Sequence, residues 1–68
     1  METYSLIICG KTYELMVTDR TILIDAELHI EGKQIPISIN TFPPDTDIRI
    51  IIDWALHNIK SYDPSAEV

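Results

Sequence analysis

Only one stretch of this chain, Asp45 to Tyr62, repeats its apolar residues at helical spacing. At about 100° per residue, Ile48, Ile51, Ile52, Ala55, Ile59 and Tyr62 share a stripe, with Leu56 at its edge. Four shorter segments precede it and alternate with period two, so each has one apolar face in need of a cover. This order predicts an α+β fold, a four-stranded antiparallel meander (ββββα) with one C-terminal helix packed on one sheet face. Pro43 and Pro44 end the last strand, because the residue before a proline is biased away from the α region. Asp45 is the expected N-cap, ahead of Thr46 and Asp47. Its carboxylate can accept a free backbone N–H and meets the positive end of the helix dipole.

The alternation also predicts registers. In the first segment, Tyr4, Leu6 and Ile8 share one face. A type II′ turn at Gly10-Lys11 pairs Ile8 with Tyr13, Leu6 with Leu15 and Tyr4 with Val17. A tight turn at Asp19-Arg20 pairs Thr18 with Thr21 and Met16 with Leu23. Ile22, Ile24, Ala26, Leu28 and Ile30 then alternate in the longest of the four segments. Gly32-Lys33 repeats the earlier Gly-Lys pair and predicts a second hairpin of the same kind, after which Ile35, Ile37 and Ile39 point to the covered face. Pro36 has no N–H to donate, which suits an edge strand or a looser turn. Phe42 is expected to plug the corner before the helix. A helix is about 10 Å wide and strands lie about 4.8 Å apart, so it shields two or three strands and leaves an outer one half covered. The domain is expected over residues 1–62, with 63–68 as a frayed tail.

Sixty-eight residues make one domain. No apolar run approaches the roughly 18 residues of a membrane helix, and METYSLIICG lacks the basic and long apolar regions of a signal peptide. One cysteine cannot close an internal disulfide, which fits a reducing compartment and a cytoplasmic location. Eleven acidic residues against five basic give a net charge of −6. That balance argues against direct nucleic-acid binding, which draws on Lys and Arg to neutralise phosphates.

No catalytic constellation stands out. Gly10-Lys11-Thr12 resembles the end of a P-loop, but the first glycine of that motif would fall at Ser5 and a strand follows Thr12. His29 and His57 lie on different elements, and no Cys/His spacing suggests zinc. His29 reads as an exposed, titrating residue. Cys9 has no base placed to activate it, and no serine sits in a nucleophile elbow. So small a domain has little room for a substrate pocket of roughly 300 Å³. The expectation is a protein that is not an enzyme and needs no cofactor or metal.

Two surfaces are left over. On the back of the helix, Ile50 and Trp54 are four residues apart and lie off the stripe; aromatic anchors of this kind are enriched in interface cores. On the uncovered sheet face, Ile7, Met16 and Leu23 form an apolar patch beside Glu14, Asp25 and Glu27, with Glu14 set opposite Asp25. An apolar centre with an acidic rim suits a protein partner that is basic or binds nucleic acid itself. The first expectation is therefore a protein-binding inhibitor or modulator of such a partner. The alternative is a homodimeric regulatory or structural module, joined through Ile50 and Trp54 or through an edge strand. A third reading is a divalent-cation site built from Glu14, Asp25 and Glu27. The small core of a short chain favours a dimer or a bound partner. In size and charge the chain is similar to phage-encoded inhibitors of host defence, such as anti-CRISPR proteins or DNA mimics; no motif carries that likeness.

Overall fold

A computed structural model describes residues 1–65 of the chain. Strands β1 (Glu2–Ile8), β2 (Lys11–Asp19), β3 (Ile24–Ile30) and β4 (Ser38–Phe42) are followed by one helix, α1 (Ile48–Tyr62). The strands form one antiparallel sheet in the order β1-β2-β3-β4, the meander expected from the alternation. No helix among the described residues is long and apolar enough to cross a membrane.

The core lies where the helix meets the two central strands. Tyr13, Leu15 and Val17 of β2, Ile24, Ala26 and Leu28 of β3, and Ile51, Ala55 and Ile59 of α1 are buried together. Tyr4, Leu6 and Ile8 of β1 pack against this cluster but stay half-buried. The narrowness of a single helix accounts for the difference: it covers β2 and β3 and reaches β1 only in part.

The helix begins later than its charge pattern suggests. Pro43 C=O accepts both the Thr46 N–H (3.1 Å) and the Thr46 hydroxyl (2.7 Å), so residues 43–46 form a turn of their own. Asp47, not Asp45, is the N-cap, and its carboxylate accepts the Arg49 N–H at 2.9 Å. Tyr62, expected on the buried stripe, is exposed in the last turn.

All three strand connections differ from the expected ones, and the size of each shift decides its consequence. Cys9 and Gly10 form the first turn with φ of 51° and 77°; left-handed values at both central residues define type I′. Leu6 therefore pairs with Tyr13 and Tyr4 with Leu15, two positions from expectation. Between β2 and β3 the chain makes a wider loop, in which Arg20 N–H donates to Leu23 O (2.9 Å) and Ile22 N–H to Arg20 O (2.8 Å). Thr21 takes φ 72° there, and its N–H donates to the Asp19 carboxylate at 2.9 Å. Ile22 is thus in the loop and 81% exposed rather than in the core. Met16 pairs with Glu27, four positions beyond the expected Leu23. Both shifts are even, so the faces survive.

The third shift is odd. Ile30 C=O accepts the Lys33 N–H at 2.9 Å around Gly32 at φ 80°, the value a type II turn needs at its third residue. The repeated Gly-Lys pair therefore serves two different turns. Ile37 N–H donates to Leu28 O at 2.7 Å although Ser38 is the register partner of Leu28. Two residues of one strand answer one of its neighbour, which is a β-bulge. Beyond it, Ser38, Asn40 and Phe42 share the face of Leu28, Ala26 and Ile24, and Ile39 turns to the other side. Ile37 still packs against the core, but Ile35 and Ile39 do not and are exposed. Ser38 fills the place expected for an isoleucine and donates its hydroxyl to Asn58 Oδ1 of the helix at 2.7 Å.

Candidate functional site

The uncovered sheet face is set by the three registers together. One row across it reads Thr3, Met16, Glu27, Ile39; the next reads Ser5, Glu14, His29; Ile7 and Thr12 lie beyond. Ile7 (74% exposed) and Ile39 (63% exposed) are the large apolar side chains most open to water on this face, and Met16 is half-buried in the row of Ile39, with Glu27 between the two. Glu14 and Glu27 sit on adjacent strands in adjacent rows. This face carries apolar and acidic side chains, but the expected apolar patch does not form: Ile7 pairs with Thr12, two rows from Met16, and Leu23 lies in the loop before β3.

Two expected members are moved, and one residue joins. Leu23 belongs to the loop before β3 and does not pair with Met16. Asp25 pairs with Thr18, not Glu14, and its carboxylate accepts the Arg20 guanidinium, so its charge is matched locally. The like-charge pair Glu14–Asp25 is absent, and so is the convergence of three carboxylates that a cation would need. Among the described residues no three His, Cys, Asp or Glu side chains are grouped to hold a metal. Ile39, expected on the covered face, joins this one instead. Only the bulge at Ile37 and Ser38 places it here, and alternation of apolar residues carries no signal of a bulge.

His29 overturns another expectation. It is 7% exposed rather than an ordinary surface group. Its cross-strand partner is Glu14, and Glu27 Oε1 lies 3.4 Å from its Nε2, which makes no hydrogen bond among the described residues. Buried polar atoms in folded proteins are nearly always paired, so this nitrogen, with the Glu27 carboxylate beside it, is an exception.

On the helix, Ile50 is exposed and Trp54 is half-buried. The Trp54 indole meets Phe42 edge to face, with centroids 5.8 Å apart and planes at 77°, at the corner where β4 leads into the helix. Trp54 is therefore largely committed to the fold, and Ile50 stands without it. A shallow depression of about 240 Å³ is lined by Asp53, Leu56, His57 and Lys60, all from α1. It is smaller than typical ligand pockets and holds no converging catalytic groups.

An ion pair sits at each end of the helix, Arg49–Asp47 and Lys11–Asp63. Asp63, the C-cap residue, accepts Lys11 Nζ at 2.7 Å and the Ser65 N–H and hydroxyl at 3.1 and 2.6 Å. Chiefly through the Lys11 hydrogen bond, its carboxyl is held down at about 2, and the Lys11 ammonium is raised in turn. Asp47 is lowered by its hydrogen bonds from Arg49. Residues 63–65 of the expected tail are thus engaged; 66–68 lie outside the described residues. No protein family, curated protein or solved structure matches the chain.

Proposed function

We propose that this chain is a non-enzymatic, cytoplasmic binding domain whose open sheet face captures a basic protein segment and so modulates its owner. One observation carries the reading: on the sheet face opposite α1, Met16 and Ile39 flank Glu27 in one row, Glu14 stands in the next, and the exposed Ile7 lies beyond it. Apolar residues supply the burial on which affinity rests, while the acidic surround steers a cationic partner and sets its orientation. The net charge of −6 acts in the same direction at long range. A nucleic-acid-binding protein suits this chemistry, because the Lys and Arg groups that would meet phosphates can meet carboxylates instead.

The test uses the full chain and a variant carrying Glu14→Gln and Glu27→Gln, with circular dichroism to establish that both fold alike. Immobilised wild type should capture a protein of basic isoelectric point from its native host, in a manner weakened by salt. The double variant should capture it several-fold less. Equal capture by both chains, or capture that salt leaves unchanged, would remove the open face from consideration.

A further inference from the structure

The two edges of the sheet are built differently. β4 is guarded: it has five residues, a bulge where it begins, Pro36 just before it and Pro43-Pro44 directly after. Bulges, prolines and short length are the devices by which proteins keep an edge from pairing. β1 has none of them. Its seven residues, ETYSLII, contain no glycine or proline and one charged side chain, Glu2. Among the described residues its backbone bonds only to β2, so alternate N–H and C=O groups face outward unpaired. Its covered-face residues Tyr4, Leu6 and Ile8 are also the apolar row that the helix leaves half-buried.

We infer that β1 is a homodimerisation edge, which pairs antiparallel with β1 of a second copy to form a continuous eight-stranded sheet. An unpaired edge calls for an extended segment with matching alternation, and β1 itself supplies one. The two-fold register that uses the whole strand centres on Ser5. It sets Tyr4 opposite Leu6 of the copy, Thr3 opposite Ile7, and Glu2 opposite Ile8. The half-covered rows of both chains then abut, and the two Glu2 carboxylates lie at opposite ends of the seam. No like-charge pair forms in a seam between two chains that each carry −6. Long-range repulsion between the copies remains, so salt should strengthen this contact. Capture of a basic partner responds to salt in the opposite direction, and Glu14→Gln/Glu27→Gln leaves the seam untouched, so the two interactions can fail separately.

Sedimentation equilibrium on the full chain, up to about 1 mM and from low salt to about 0.5 M, tests the seam. Wild type should pass from one to two chain masses, and do so at lower concentration in high salt. Thr3→Lys with Ile7→Lys places lysine opposite lysine at both such pairs on solvent-facing positions, and should weaken dimerisation by roughly tenfold or more. Because it also cuts the net charge, a generic repulsion account predicts the reverse. Thr3→Lys with Ile7→Glu places opposite charges there and should restore the dimer. Circular dichroism establishes that each variant folds. A wild type that keeps one chain mass throughout, or a Lys/Lys variant that associates as wild type does, would overturn the inference.

Discussion

Lys11 Nζ lies 2.7 Å from Asp63 Oδ2, so the first residue of β2 is tied to the residue that caps the end of α1. The helix is thereby pinned to the sheet at its C-terminal end, opposite the Phe42–Trp54 contact near β4. These two contacts supplement the apolar core, which places the helix over β2 and β3.

The pin has a defined pH window. The Asp63 carboxyl sits at about 2 in the folded chain, below the roughly 3.9 of a free aspartate, so its contribution is complete above about 4 and is lost as pH falls toward 2. Lys11 is raised, so its contribution is complete below its ordinary value of about 10.4 and is lost above it. Asp63→Asn should lower the melting temperature at neutral pH, and the gap from wild type should close between about pH 4 and pH 2. A gap that persists unchanged at pH 2 would contradict the pin.

Asp47 and Asp45 separate the observed cap from the expected one. Asp47→Ala removes the acceptor of the Arg49 N–H and should lower the melting temperature by a few degrees. Asp45→Ala should leave it nearly unchanged. Thermal denaturation of the two variants checks this.

The Phe42–Trp54 contact should appear as a coupling. Trp54→Ala is expected to cost about 2 kcal/mol, since the ring is half-buried and meets Phe42 edge to face. In a double-mutant cycle with Phe42→Leu, urea denaturation should give a coupling of about 0.5–1.5 kcal/mol. Additive costs would mean the rings do not support one another.

The bulge makes its own prediction. Ile39 is solvent-facing, so Ile39→Thr should change stability by less than about 0.5 kcal/mol. Leu28 is fully buried, so Leu28→Ala should cost about 2–5 kcal/mol by the same measurement. A large cost at Ile39 would restore the face assignment that alternation predicts.

Much of the candidate site was legible in the residues, though not its geometry. Alternation alone predicts Ile7, Met16, Glu14 and Glu27 on the open face, and they lie there because the first two turns shift pairing by even numbers. Asp25 and Leu23 fall elsewhere because the second loop has four residues in place of two, which moves the register by four. Thr21 at φ 72° carries that loop, and no glycine marks it. The burial of His29 has no local signal, since its sequence position is that of a surface residue on a half-exposed strand.

By itself the sequence determined element type and order: the period of apolar residues distinguishes strand from helix, and each pattern must bury one face. Tertiary structure decided which residue stands opposite which. Side-chain alternation is blind to any shift by two or four, so nothing local chooses among such registers. Where an extra residue entered at Ile37 and Ser38, the choice fell to what could meet the helix. Ser38 could satisfy Asn58 there while Ile39 turned outward, and that contact exists only once the chain has folded.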